Sequence, residues 1–267
     1  MKKAVIIIAR NEGDWPYKAS ISFNKHFPDC DLIGIDDGGE NKFPNYVRVF
    51  RTTGGIGVGN VRRMGVEMTD ADLLLITDAH VFYEKGDIGK AWDLCEQGYI
   101  VNSTTLSYTD KRDCGNGRTH ALPAHQCKNV KVKEGLEVGL IGGIYFMRKD
   151  VAKQVIAPTP SHGFNEQIMT CAAFSLGHRI YTYPDLCFSH VSKKKFNYKV
   201  AYSGQQRNRK LLDWWFFDGK KPTKISKVEQ EYFNFIQSNR VLDKSELKSK
   251  ILEMNFNLER DASNKRI

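Results

Sequence analysis

The sequence contains no run approaching the roughly 20 apolar residues that cross a bilayer. Its opening carries two lysines and a short apolar stretch. That stretch stops at Arg10, Asn11 and Glu12, and no small-residue cleavage site follows. The expectation is a soluble, cytoplasmic protein whose first strand is buried, with no transmembrane segment. Cysteine is sparse and scattered at Cys30, Cys95, Cys114, Cys127, Cys171 and Cys187. Without an export signal, such irregular spacing makes no disulfide framework, and most of these thiols are expected to be reduced and buried. Repeats and low-complexity tracts are missing too. With 41% hydrophobic residues, that excludes disordered and collagen-like chains.

What is present suffices for one sizeable core, since 267 residues is an ordinary length for a single α/β domain. Net charge is +9. Much of the basic bias lies late, in Lys193, Lys194, Lys195 and Lys199, then Arg207, Arg209 and Lys210. Such a balance suits an anionic partner: nucleic acid, an anionic glycan or membrane, or a sugar nucleotide. It equally suits a solvated basic face.

Apolar β-type runs alternate with helical stretches. Ala4 to Ala9, Leu32 to Ile35, Tyr46 to Phe50 and Leu73 to Thr77 read as strands. Pro16 stands at a plausible helix start, and Asn60 to Met68 follows a glycine-rich run as a second helix. A helix over Ile88 to Gln97 and a strand over Tyr99 to Ser103 come next. The polar stretch from Thr109 to Gly135 reads as a long loop or small insertion, before Leu140 to Met147 turns apolar again. Val151 to Ile156 and Asn165 to Leu176 read as helices, the second closed by Gly177, and His178 to Tyr183 reads as a strand. From Ser203 onward the pattern is helical. This order predicts an α/β fold with a mostly parallel sheet, a catalytic core over residues 1–192, and a basic helical extension over 193–267 packed on it.

Parallel sheets bind ligands beyond the carboxyl ends of their strands. Asp36 and Asp37 end one predicted strand, and Asp78 ends another. Two strands thus deliver carboxylates to one edge. Asp78-Ala79-His80 pairs a carboxylate with an imidazole, and His190 follows a later strand-like stretch. These donors suit Mn²⁺, Mg²⁺ or Zn²⁺. Alternate residues on an extended chain would point Asp78 and His80 the same way. The rival reading is an ordinary loop histidine at His80 and a packing or capping role for His190. The run Gly54 to Gly59 can offer backbone N–H groups to phosphate at a helix start. It matches neither the phosphate-loop pattern nor the dinucleotide fingerprint, and a flexible loop is the alternative. Cys114, His120, His125 and Cys127 could hold structural zinc, but their spacing matches no finger pattern, so zinc is not the expected reading.

Several separated blocks resemble the glycosyltransferase family 2 superfamily, in particular the catalytic domain of the polypeptide N-acetylgalactosaminyltransferases. They run in order over residues 4–191. Ile6-Ile7-Ile8-Ala9-Arg10-Asn11-Glu12 is similar to the first strand and its Asn-Glu. Ile33-Gly34-Ile35-Asp36-Asp37-Gly38 resembles the strand whose paired aspartates bind base and ribose. Val61-Arg62-Arg63-Met64-Gly65 resembles the Ala-Arg-x-x-Gly helix. Leu74 to His80 is similar to the strand with an Asp-x-His metal motif. Gly142-Gly143-Ile144-Tyr145-Phe146 resembles the strand lining the sugar pocket, and Ser189-His190-Val191 the segment with a further histidine ligand. The resemblance implies a GT-A fold, a UDP-sugar donor and a hydroxyl acceptor. It also implies Mn²⁺, or Mg²⁺, at Asp78, His80 and His190, and donor contacts from Asp36, Asp37, Arg62, Asp78, Gly142 and Gly143.

The pattern also departs from the family. Retaining members carry Glu-Asn before the last helix of the core, and many inverting members carry Glu-Asp; this chain has Asn165-Glu166. Counting back from Gly177 aligns Glu166 with the inverting enzymes' general base, which favours inversion. The alternative for Glu166 is helix capping or hydroxyl binding. Gln206 to Phe217 resembles the segment that covers the donor, where Trp214 and Trp215 would stack on a sugar or base. Otherwise they anchor the C-terminal helices. No lectin domain or membrane anchor is matched, which points away from mucin glycosylation in the secretory pathway. The acceptor stays open among glycan, protein, lipid-linked sugar and modified DNA. Two other classes compete. A metal-dependent nucleotidyltransferase needs a second carboxylate set or a lysine-bearing glycine loop, and a basic nucleic-acid-binding protein leaves Asp78-Ala79-His80 unexplained.

Overall fold

The structure is a computed structural model and describes residues 1–118, 120, 128–191 and 202–263. The first apolar run becomes β1 (Lys3–Ala9), buried on both faces because parallel neighbours flank it and helices cover the sheet. After α1 (Trp15–His26), which opens with proline in its first turn, the chain returns as β2 (Cys30–Asp37) and then β3 (Arg48–Thr52). α2 (Val58–Glu67) leads to β4 (Leu73–Asp78), and a tight turn gives the edge strand β5 (Val81–Lys85).

Next come α3 (Ile88–Glu96), capped by Asp87, and β6 (Ile100–Ser107). The short strands β7 (Gly117–Arg118) and β8 (Asn129–Val130) pair with each other in a separate two-stranded sheet. β9 (Ile144–Arg148), α4 (Lys149–Val155), α5 (Asn165–Ser175) and β10 (Ile180–His190) complete the site-bearing part. The helices α6 (Tyr202–Phe216), α7 (Lys227–Asn239) and α8 (Lys244–Ser263) follow.

The large sheet has the order β3-β2-β1-β4-β9-β6-β10-β5. It is parallel from β3 to β4. β9 is antiparallel to both its neighbours, β10 runs parallel to β6, and β5 closes the edge antiparallel to β10. β1, β2 and β4 therefore end at one edge, where Asp37 and Asp78 sit. β10 brings His190 there by a second route. It is longer than the sequence pattern suggests, because a register shift between Tyr183 and Cys187 carries it past Pro184 without ending it.

Each face of the sheet has its own apolar core. One joins Phe23, Phe27, Trp92, Phe146 and Phe188. The other runs from Ile6 and Ile76 through α5 to Leu211, Trp215, Tyr232, Ile251 and Leu258 of the last three helices. Trp214 and Trp215 belong to that packing. Trp214 stacks on Phe233 at 4.4 Å, and Trp215 meets Tyr232 edge-on at 5.1 Å. The anchoring alternative therefore holds for both. No helix among the described residues is long and apolar enough to cross a membrane. Lys193, Lys194, Lys195 and Lys199 lie outside the described residues.

Candidate active site at the carboxyl edge of the sheet

A cavity of about 520 Å³ opens over the carboxyl ends of β1, β2 and β4. Asp37, Arg62, Asp78, His80, Gly142, Gly143, Glu166 and His190 all line it, gathered from widely separated stretches of chain. Asp36 does not. It is fully buried, and its Oδ1 accepts hydrogen bonds from Asn41 Nδ2 at 2.5 Å and Gly39 N at 3.0 Å. The adjacent aspartates thus divide their work: Asp36 holds the turn after β2, and Asp37 faces the cavity. Asp37 accepts from Thr52 Oγ1 at 2.7 Å and lies 3.8 Å from Arg10.

The ligand atoms of Asp78, His80 and His190 lie within 4.8 Å of one another. Two ligands held at about 2.1 Å from one ion are at most about 4.2 Å apart, so the three donors stand close to that spacing and would draw slightly inward around a single cation. Their chemistry, one carboxylate and two imidazoles, is that of a borderline divalent metal. Gly143 leaves room for it. A Cβ there would stand 3.1 Å from Asp78 Oδ2 and 3.5 Å from His190, and its φ of +92° disfavours any other residue.

Strand alternation is not what brings Asp78 and His80 together, contrary to expectation. β4 ends at Asp78, and Ala79 and His80 form the turn into β5. That turn is pinned by Ala79 N to Ile8 O and by Val191 N to His80 O, which also ties His80 to the end of β10. The two imidazoles meet edge-on with centroids 4.6 Å apart.

Arg62, buried on α2, bridges the metal cluster and Glu166. Its Nη2 lies 3.7 Å from Asp78 Oδ1 and 3.2 Å from Glu166 Oε1. Tyr145 donates its hydroxyl to the same Oε1 at 2.9 Å and accepts from Gly143 N. Burial pushes the Glu166 carboxyl up. The Arg62 and Arg118 guanidinium groups, a backbone hydrogen bond and the Tyr145 hydroxyl overcome that and hold it down at about 2.

This has a consequence for acid stability. A folded-state pKa below the ordinary carboxylate value contributes stability that is complete above about pH 4.5 and is lost as pH falls through about 2. The shift corresponds to roughly 3 kcal/mol. Denaturant titrations should show wild type more stable than Glu166→Gln near neutrality, with the gap closing between pH 4.5 and 2. A gap that ignores pH would disprove the linkage.

Arg118 is a charged cavity residue that the sequence did not mark. It lies in the polar stretch read as a loop. A two-way backbone bridge to Gly139 and a side-chain bond from Nε to Asn129 Oδ1 at 3.0 Å hold it at the cavity wall. Only the docking of β7 on β8 reveals it, and that leaves no periodic trace in so short a pair. Tyr145 stood out in the sequence only as a strand residue, with no sign of its bond to Glu166. The zinc reading gains nothing among the described residues. Cys114 donates to Arg112 O, while His120 packs against Cys171 and Phe217. His125 and Cys127 lie outside the described residues.

The sequence profile described as "Glycosyl transferase family 2" matches residues 4–156, more than half the chain. The chain belongs to that family. Comparison with curated proteins gives no significant sequence match. Among solved structures it is similar to GalNAc-T7 crystallised with UDP, GalNAc and Mn²⁺. That likeness has a TM-score of 0.66 at 15% identity and covers 98% of this chain and 57% of that one. It is also similar to residues 1–349 of S. aureus TarS in complex with UDP-GlcNAc, with a TM-score of 0.58 at 12% identity, covering 89% of this chain and 71% of that one. At such identities the likeness shows the fold, the GT-A arrangement of sheet and flanking helices. The chain spans little more than half the length of the GalNAc-T7 structure.

Proposed function

We propose that the chain is a metal-dependent glycosyltransferase that moves a sugar from a UDP-sugar to a hydroxyl acceptor. The carrying observation is the Asp78, His80 and His190 cluster inside a cavity that Asp37 and Arg62 also line. A divalent ion bound there would neutralise the charge that develops on a departing diphosphate. Arg62, already paired with Asp78 and Glu166, adds fixed positive charge beside it. The start of α2 at Gly57 and Val58 lies on the same wall, so the positive end of that helix dipole faces the cavity. Gly142 and Gly143 leave the sugar side open. That both structures above hold UDP or a UDP-sugar supports uridine as the base. Asp-x-His and Ser-His-Val, together with the GalNAc-T7 likeness, favour kinship with the N-acetylgalactosaminyltransferase catalytic domain.

The direct test is thermal-shift and hydrolysis profiling against a panel of sugar nucleotides with Mn²⁺. UDP-sugars should stabilise the protein and be slowly hydrolysed; indifference to every sugar nucleotide would reject the proposal. Glu166 is the candidate base by its register to Gly177. Its Oε1 is taken by Arg62 and Tyr145, so Oε2, with Arg118 Nη1 3.9 Å away, is the oxygen proposed to meet an acceptor hydroxyl.

The two aspartates should separate by calorimetry. Asp37 is the proposed hydrogen-bond acceptor for the nucleotide's ribose or base. Losing a hydrogen bond to a charged group costs about 1.5–3 kcal/mol, so Asp37→Ala should weaken UDP binding by roughly 10–100-fold with the fold intact. Unchanged UDP affinity in this variant would refute the assignment.

A further inference from the structure

Two buried polar residues have no part in the chemistry described so far: Glu12, which follows β1, and Asn41, beyond the turn after β2. Glu12 is 6% exposed and Asn41 3%. Glu12 Oε2 lies 3.4 Å from His80 Nδ1, a buried ring nitrogen that makes no hydrogen bond as the side chains stand. The Glu12 backbone N–H donates to Asn41 Oδ1 at 2.6 Å, and Asn41 Nδ2 donates to Asp36 Oδ1 at 2.5 Å. A continuous chain of contacts therefore runs from Asp36 through Asn41 and Glu12 to His80. The two loops that carry it are tied again by Lys42 N to Gly13 O.

The chemistry of imidazole gives this arrangement meaning. A neutral ring has one nitrogen that carries hydrogen and one that has a lone pair, and only the second can bind a metal. Which is which depends on what the hydrogen-bearing nitrogen faces. A buried carboxylate facing Nδ1 favours hydrogen there, and leaves Nε2 with its lone pair. It also makes the imidazole a stronger donor to a cation. A carboxylate does this only if it is held in place, and a buried glutamate has several rotatable bonds. Burial restricts those rotations, and a side-chain amide held by a fully buried aspartate anchors the main chain from which the glutamate projects.

We propose that Glu12 is the positioning residue for His80: a small turn of the two side chains closes the 3.4 Å gap so that Glu12 accepts from Nδ1–H and presents Nε2 to the cation, with the Glu12 main chain anchored by Asn41 and Asp36. This rests on the reading of Asp78, His80 and His190 as the metal site. It also gives Asp36, which does not line the cavity, a role at a distance: its carboxylate acts on the metal ligand through two intermediaries.

Two measurements test it, both without nucleotide, so that any direct contact of Glu12 with a donor is excluded. The first is the ¹⁵N spectrum of histidine-labelled, metal-free protein. Wild-type His80 in its neutral form should carry its hydrogen on Nδ1. Glu12→Ala should shift it toward Nε2–H, and Glu12→Gln should keep it, because the amide oxygen still accepts. The second is the Mn²⁺ dissociation constant by electron paramagnetic resonance. Glu12→Ala should weaken binding by about 10–100-fold, the usual scale for losing such a partner. Glu12→Gln should largely restore it, and Asn41→Ala should weaken it less than Glu12→Ala does. Glu12→Met, similar in size and without an acceptor, replaces the alanine variant if that fails to fold. A wild-type His80 with hydrogen on Nε2, or a Glu12→Ala variant with wild-type tautomer and Mn²⁺ affinity, overturns the proposal. If Asp78→Ala leaves Mn²⁺ binding unchanged, the metal-site reading fails by itself, and the tautomer spectrum still decides the Glu12–His80 contact.

Discussion

Asp78→Ala, or exhaustive chelation of the wild type, is expected to abolish sugar transfer and donor hydrolysis, and added Mn²⁺ should rescue only the chelated wild type. The physical reason is the leaving group. In the proposed reaction a nucleoside diphosphate would depart with charge that must be met as the bond breaks, and an ion held by Asp78, His80 and His190 would contribute several kcal/mol to that step. Each 1.4 kcal/mol is a factor of about ten, so a loss of roughly 10²–10³-fold or more follows. Asp78 is the variant of choice because it supplies the cluster's negative charge and lies beside buried Arg62. Its removal takes away the carboxylate of the three proposed ligands, while Glu166 stays paired with Arg62 and Glu12 stays beside His80. His190→Ala should be milder, since it removes a neutral donor. Circular dichroism would show whether the alanine variants keep the fold. Transfer that persists through chelation would remove the metal from the reaction.

The second large effect is expected at Glu166. A hydroxyl is a poor nucleophile until its proton leaves, so inversion needs a carboxylate opposite the departing diphosphate. If Glu166 is that base, Glu166→Gln should cost roughly 10²–10⁴-fold in transfer with donor affinity nearly unchanged. The product should then have the opposite anomeric configuration to the donor, which proton NMR reads directly. One observation favours a second role. The positive charges around Glu166 hold its carboxyl at about 2 in the folded chain, far from the pKa that serves a base best. A carboxylate so held orients hydroxyls more readily than it removes their protons. On that reading the glutamine variant loses about tenfold or less, chiefly in acceptor KM, and configuration is decided by other groups. A large loss in kcat with an inverted product establishes the base; a KM effect with a retained product establishes the binding role.

Much of the site was legible because parallel sheets concentrate chemistry at strand ends. Once Leu73 to Thr77 is read as a buried strand, Asp78 must emerge at the edge where β2 delivers Asp37. What could not be read is direction within a residue pair. Asp36 and Asp37 look equivalent in sequence. The pleat and the turn at Gly38 and Gly39 send one into the core and the other into the cavity. Asp78 and His80 were expected to share a face by alternation; they come together through a turn instead. The edge strand β5 has no separate signal in the sequence, because it is short and follows the metal residues immediately. Arg118 was hidden for a related reason, since its place depends on β7, β8 and the segment around Gly139 docking together. The ion pair of Arg62 with Glu166 spans 104 residues, and no local pattern encodes such a partner.

The shared core beneath α5 bears on how the protein is made. Glu166 belongs to α5, which packs against α6 and α8, and Ile168 and Met169 of α5 share one apolar cluster with Leu211, Trp215, Ile251 and Leu258 of the late helices. Those four are synthesised after every cavity residue named above. At about 5–20 residues per second, the ribosome needs several seconds to reach Leu258 once His190 has been added. During that interval the wall of the cavity has its chemistry but not its backing. A chain arrested at residue 192 should remain open to protease, whereas one released after α8 should resist it. The reactive groups would then acquire their final spacing only as the last helix seats, so that folding of the site is completed from its far side.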